Sequence, residues 1–599
     1  MLLLLGAIGG CRSSRPPPAP PVDAGRAGTP PSGPDAQLDQ LAREHIDATF
    51  AESPTTATWM GAHLYDDRLD DVSPEAIERR RVRLQSLSAR LTALPDDRLD
   101  PLHRLDRALL GREVRRALFE MDVERPWERN PVRHVSLIAS GIHELLTHDH
   151  PSLADRMRLV TQRLRQVRVV LEGSRRTLHN PPELLVRRAI ELGQNTRGFI
   201  AETLPQVTGV LADEALTNDF RAAQGEALHA LDDWLSWLQR DLLPHARGEL
   251  ALGRDQLAAL LDAEEMLDVP PEQALAVAER ELANVKVAFL EAARAVAPGK
   301  TPVEALHLLE EDHPKAEDVL ATAAATLEAA SAFVRERALI PPPTARLKVM
   351  EMPPFLWGGA TVVLWGPFEA QTRDTWLYAE PVERQWDPKR REEHLRALPR
   401  SQMALTTLHQ ALPGHFVAQE AIRQAPSALE RLARSEAFFE GWAGYSEQMM
   451  LAEGFGNGDV RLRLALLREQ LVQLCRLIAV LRFHAHVGEA KLDDLGDLFA
   501  DEAYLDDYAA RREAERAAID PMSLAAALGR LQILKLREDF RQERGRAFTL
   551  REFHARLLAH GALPLPLVRR TLLIEDHGAS LPAVLNAAPT PPASPPPAP

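Results

Sequence analysis

The sequence predicts a mainly α-helical protein, a large helical body in two lobes with one small β-sheet near residues 347–380. Three observations carry this. Apolar residues recur at helical spacing through most of the 599 residues, and 45% hydrophobic with 26% charged suits a substantial buried core. Helix-start signals, a cap residue followed by proline and an acid, recur along the chain. Aromatic residues are only 5% of the chain, yet they bunch with β-branched residues in one short region.

Taken in order, residues 1–10 read as a lipoprotein signal peptide. The apolar run Leu2 to Ile8 is far shorter than the roughly 20 residues needed to span a bilayer. It ends in Gly9-Gly10-Cys11, which resembles a lipobox, so Cys11 is expected to become the lipidated first residue of the mature chain. No Lys or Arg precedes the run, unlike the usual basic start of a signal peptide. Residues 11–36 carry Pro16-Pro17-Pro18, Pro20-Pro21 and Pro30-Pro31 and read as an extended tether. Together these predict a bacterial cell-envelope lipoprotein that faces the periplasm and touches a membrane through its anchor. Arg12 stands after Cys11, not the aspartate that signals inner-membrane retention, which leans the expectation toward the outer membrane. With Cys11 acylated, Cys475 is left alone and no intrachain disulfide is available.

Residues 37–587 read as a single helical domain, with 588–599 a disordered Pro-rich tail. In the N-terminal helical part, 37–337, Ser73-Pro74-Glu75 is a cap, a first-turn proline and an acidic first turn. Thr301-Pro302-Val303-Glu304 is a capping box. Leu159 to Leu178 and Pro271 to Val296 alternate apolar and charged residues with a helical period. Residues 347–380 hold the predicted sheet, with two or three strands around Val349, Ala360 to Trp365 and Asp374 to Tyr378. Trp357, Trp365, Trp376 and Trp386 cluster there, either as packing on helices or as a cleft wall. Helices return across 390–587, with His409 in one that begins near Leu398, another over Ser435 to Leu451, and a buried one over Leu464 to His486.

The formal net charge of -15 excludes a nucleic-acid backbone as partner, since that role needs a basic stripe. The chemistry concentrates in His409-Gln410-Ala411-Leu412-Pro413-Gly414-His415 and Phe439-Glu440-Gly441-Trp442. Two imidazoles and a carboxylate are a three-ligand zinc set that leaves a fourth position open. Six residues apart, His409 and His415 would diverge on an ideal helix, about 100° per residue. Pro413-Gly414 supplies the distortion that brings them together, because proline lacks an N–H and glycine tolerates unusual backbone. Glu440 is the expected third ligand, Glu436 one turn earlier is a rival ligand or supports the site from behind, and Gly441 is expected to let the metal helix approach closely. Zinc hydrolases of the His-Glu-x-x-His type place a general-base Glu after the first His; here that position is Gln410. A weaker candidate is His143-Glu144 with His148 and His150, which lacks any residue to relieve its spacing.

These residues, with Gly444-Tyr445-Ser446-Glu447, resemble the bacterial domain-of-unknown-function 885 family, whose motif is His-Glu-x-x-Pro-Gly-His followed by Glu-Gly-Trp-Ala-x-Tyr-x-Glu. Pro54 to Gly61, Phe548 to His554 and Gly561 to Leu565 are similar to its opening and closing segments. The resemblance implies a zincin-like metallopeptidase fold, often in exported lipoproteins. It also implies departures in this chain: Gln410 for the Glu, Leu528-Gly529 where a Tyr precedes a Gly, and Arg482 about where an Asp stands. The residues that handle protons are lost while those that ligate persist. The leading expectation is a lipid-anchored metallopeptidase homologue that binds zinc and is catalytically weak or inactive. In it Gln410 orients water or substrate, and Tyr445 and His554 line the site. Its partner is a peptide or small molecule. Two alternatives stay open: an active hydrolase in which Glu436 or Glu447 supplies the proton chemistry, and a metal-free peptide-binding scaffold.

Overall fold

The computed structural model describes residues 33–147, 152–209, 211, 213–352, 362–371, 374–383, 385–485 and 490–573. The expected signal peptide and Cys11, nearly all of the expected tether, Trp357, His148, His150 and the Pro-rich tail lie outside the described residues. The fold is mainly helical, as expected. Local signals set many boundaries directly. Ser73 accepts from the Ala76 amide and starts the helix Pro74–Thr92. Thr301 and Glu304 form the reciprocal capping box of Pro302–Glu310. The helix expected over Pro271 to Val296 has those same bounds. No helix among the described residues is long and apolar enough to cross a membrane.

The small sheet has strand order β1-β3-β2, with β1 Leu347–Glu351, β2 Val362–Val363 and β3 Thr375–Ala379. β1 runs parallel to β3, Val349 opposite Leu377, and β2 runs antiparallel, Val363 opposite Trp376. Trp365 is buried and donates to the Asp374 carbonyl at 2.9 Å, while Trp376 packs with Met352, Val363 and Tyr378. Both therefore serve packing. Gln419 Nε2 donates to the Trp365 carbonyl at 2.8 Å and ties the sheet to the helix that begins at His415.

The cores do not follow chain order. One apolar core is built within residues 69–246. A second joins residues 257–309 to 462–528, and a third joins Leu109 and 327–345 to 408–573. The segment 254–337, placed with the N-terminal part in the sequence, thus shares its cores with the helices that carry the site.

The tightest crossing in that body lies between helices Glu436–Ala452 and Ala525–Arg544. A Cβ on Gly529 would stand 1.6 Å from the Ala437 carbonyl oxygen, and one on Gly441 would stand 2.4 Å from the Gly529 carbonyl carbon. This corrects the reading of Gly441. Its missing side chain admits the 525–544 helix, not the segment that carries His409. The start of the 436–452 helix is fixed as firmly. Ser435 caps it by accepting from the Phe438 amide at 2.9 Å, and buried Glu265 accepts from both the Ser435 hydroxyl and the Ala437 amide. Burial pushes the Glu265 carboxyl up to about 7, with Arg112, Ser435 and the Ala437 amide opposing.

Candidate metal centre

The segment that carries the histidines does not kink as one helix; it stops and restarts. Helix Arg400–Thr406 widens into a single π turn, Thr407–Ala411, and Leu412 leaves it in an extended conformation. The Leu412–Pro413 peptide is cis, and a new helix, His415–Arg423, begins two residues later. Pro413 has no N–H with which to continue a ladder. Gly414 packs its backbone onto the end of the π turn so closely that a Cβ would stand 1.8 Å from the His409 carbonyl oxygen. Trp442, from the facing helix, pins the break by donating Nε1 to the carbonyls of Pro413 at 2.8 Å and Gly414 at 3.2 Å.

This break turns the two imidazoles toward each other, with ring centroids 4.6 Å apart. His409, His415 and Glu440 each offer a ligand atom, and the three lie within 4.8 Å of one another. Glu440 oxygens stand 3.8 Å from His409 Nε2 and 3.5 Å from His415 Nε2. Atoms bound about 2.0–2.1 Å from a tetrahedral zinc would be roughly 3.3 Å apart, so the group needs little movement to close on an ion. The Nδ1 atoms are already occupied. His409 Nδ1 donates to Glu447 at 2.8 Å, and His415 Nδ1 to Gln410 Oε1 at 3.2 Å. Both Nε2 atoms are thereby left for ligation, and that of His415 is buried with no hydrogen-bond partner. Such an orphan costs free energy unless something fills its lone pair. The residues present fit a zinc ion.

Electrostatics prepare two of the three residues for a cation. Burial alone would depress the His409 imidazole, but the carboxylates of Glu447 and Glu440 outweigh it and raise it well above the usual range. Burial likewise opposes ionisation of Glu440, yet the two imidazoles hold its carboxyl well below the usual range. His415 is lowered, chiefly by burial. Glu440 is thus ionised and His415 neutral, as a cation requires, while His409, held between two carboxylates, carries a second proton that a cation has to displace from Nε2.

The remaining expected residues fall in different places. Gln410 is partly exposed, and its carboxamide oxygen accepts from His415 Nδ1, which keeps His415 in the tautomer that frees Nε2. Tyr445 and His554 do not line the centre. Both are fully buried behind Trp442, whose ring packs against each, and the Tyr445 hydroxyl bonds to His554 Nε2 at 2.8 Å. His554 Nδ1 donates to the Leu339 carbonyl at 2.6 Å, and burial lowers this imidazole to about 4, so it stays neutral and Nε2 accepts from the tyrosine. The pair fastens the core. Glu436 is turned to Arg434, 3.1 Å away, and is not among the converging ligand atoms. Of the other constellation, Glu144 is pushed up to about 7 by burial, and His143 bonds to the Thr147 hydroxyl.

Three residues matter here that the sequence reading undervalued. Glu447 was read only as a substitute acid; it is 2% exposed and orients His409 from behind. The signal was its spacing, two helical turns from Glu440 on the same face. Phe439 stacks on His415 with centroids 4.4 Å apart, and Arg434 lies over the same ring. Outer carboxylates of this kind usually set metal affinity by 10–100-fold. Glu447→Ala is accordingly expected to weaken zinc binding about 10–100-fold, read by competition with a chromophoric chelator, while Glu447→Gln, which keeps an acceptor, loses less.

A family model described as "Bacterial protein of unknown function (DUF885)" matches residues 54–572. No curated protein matches the chain. Two solved structures resemble it in fold. One is a "putative lipoprotein of unknown function from Shewanella oneidensis", 20% identical, covering 89% of this chain and 99% of its own with a TM-score of 0.75. The other is a "putative lipoprotein from Colwellia psychrerythraea", 18% identical, covering 90% and 98% with a TM-score of 0.76.

Proposed function

This chain belongs to the bacterial DUF885 family, and we propose that it is a zincin-like metallopeptidase homologue, held at the cell envelope by a lipid on Cys11, that binds zinc and hydrolyses weakly. The observation that carries the reading is the convergence of two Nδ1-anchored imidazoles and Glu440, with the buried Nε2 of His415 making no hydrogen bond. His409, His415 and Glu440 hold the ion; Glu447 and Gln410 fix the two rings. A zinc ion there supplies Lewis acidity toward a carbonyl and acidifies water.

The chain's own residues explain why turnover is weak. Gln410 follows the first ligand but its amide cannot accept a proton, and a general base typically contributes 10²–10⁴-fold. The two acids offered as substitutes stand away from the converging ligand atoms: Glu447 lies behind His409, and Glu436 is turned toward Arg434 and is not part of the converging group. Tyr445 gives no donor to the site, since its hydroxyl is committed to His554 and burial pushes it up to about 12. The peptide or small-molecule ligand, the lipid anchor and the periplasm-facing, outer-membrane position remain part of this proposal. The Gly9-Gly10-Cys11 pattern, the Pro-rich tether and the two structural relatives described as lipoproteins support the anchor.

Zinc is expected to stabilise the purified chain. Free zinc at about 100 times its dissociation constant adds about 2.7 kcal/mol to the unfolding free energy. Thermal unfolding with zinc and with excess chelator measures this, and identical transitions in wild type would refute metal binding by the folded state.

A further inference from the structure

The open side of the centre carries a cation that the metal reading leaves without a task. Glu440 is 34% exposed on its side chain, and Glu436, one turn earlier on the same face, is 47% exposed, so the way into the site runs along these two residues. Arg434 stands at that edge. Its guanidinium carbon lies 3.8 Å over the Phe439 ring, and the ring of Trp59, itself 43% exposed, lies 5.5 Å away. Phe439 is in turn stacked at 16° on His415. A guanidinium centred over one face of Phe439 leaves no room there for a parallel imidazole, so the two occupy opposite faces. Their separations from the ring, 3.8 Å and 4.4 Å, place the guanidinium about 8 Å from the His415 imidazole.

We propose that Arg434 anchors a free carboxylate on the ligand of this centre, so that the site selects peptides by their C-terminal acid group; this rests on the metal-site reading. Stacking on aromatic rings holds the guanidinium plane and leaves its N–H edges to a planar, two-oxygen acceptor. The edges are under-used. Nε is buried, so a ligand meets the Nη edge, where the pairing of Nη2 with Glu436 is too exposed to contribute much. The backbone at Arg434 is held, its amide donating to the Leu432 carbonyl and its carbonyl accepting from Arg112 at 3.4 Å. An extended peptide advances about 3.3–3.6 Å per residue, so a carboxylate at Arg434 lies roughly two residues beyond a carbonyl at the metal ligands. The class implied is a short peptide, or an amide of similar length, that ends in a free acid.

The test is calorimetric titration of the zinc-loaded full chain with acetyl-tetraalanine as the free acid and as the amide. The acid is expected to bind at least about 10-fold tighter, the scale of one charge-assisted pair. Arg434→Gln should erase the ratio while zinc stoichiometry stays unchanged. Glu436→Gln, which removes the competing carboxylate, should widen it. Equal affinity for acid and amide in wild type overturns the proposal, and so does a preference that survives Arg434→Gln, because the carboxylate would then be held elsewhere. Should the chain take up no zinc, the metal reading fails separately. The same titration of the zinc-free chain still decides, since an Arg434-dependent preference for the acid upholds the anchor and its absence overturns it.

Discussion

Gly529→Ala is expected to destabilise the protein by about 3 kcal/mol or more, at the upper end of what overpacking costs. The added Cβ would stand 1.6 Å from the Ala437 carbonyl oxygen and 3.0 Å from the Gly441 Cα. The three nearest atoms are all backbone of the 436–452 helix, so the nearest contacts offer no flexible side chain that can yield. The two helices must separate, and the helix displaced carries Glu440, Glu447 and Trp442. Zinc affinity should therefore fall together with stability, although residue 529 is itself no ligand. Gly225→Ala is the control. It lies in helix Glu214–Trp237 with nothing within 4 Å of the new Cβ, and should be neutral or stabilising by up to about 1 kcal/mol. Denaturant unfolding of both variants checks the contrast, and a Gly529→Ala midpoint equal to wild type would contradict the crossing.

Gln410→Glu is expected to raise peptide hydrolysis by the zinc-loaded chain about 10²–10⁴-fold, the usual contribution of a general base. The substitution is nearly isosteric. A carboxylate at 410 keeps an acceptor for His415 Nδ1–H, now supplied by Gln410 Oε1 at 3.2 Å, so the ligand should stay in place. What changes is that a group beside the centre can take a proton. Turnover of a peptide library at equal zinc occupancy gives the comparison. A wild type that cleaves as fast as Gln410→Glu would show that proton transfer runs through another residue.

Much of the fold was legible because its determinants are local. Ser73-Pro74 and the Thr301–Glu304 box start helices with their own side chains, and Pro271 to Val296 declares its period without help. The short sheet was legible from its β-branched and aromatic content. The site was legible in part. His409, His415 and Glu440 stood out by residue type, and Pro413-Gly414 signalled a distortion between them. That the distortion is a π turn, a break and a restart depends on Trp442 arriving from another helix, which spacing does not encode. Gly441 was misread for a like reason, since its neighbour is Gly529, 88 positions away. Tyr445 and His554 looked like site residues because they sit in the segments that carry the family resemblance, yet both are buried in the core against Trp442. Glu436 looked like a rival to Glu440 at four-residue spacing; its carboxylate is turned toward Arg434 and away from the converging ligand atoms.

The central claim, that His409, His415 and Glu440 hold one zinc ion, is tested most directly by elemental analysis of the purified full chain after zinc loading and dialysis, beside His415→Ala. A four-coordinate structural zinc is worth about 10–16 kcal/mol, or roughly 3 kcal/mol per ligand, so losing one should cost on the order of 100-fold in affinity. The account predicts close to one zinc per chain in wild type and almost none in His415→Ala. Less than about a tenth of an equivalent in wild type, or equal zinc in both proteins, would contradict it.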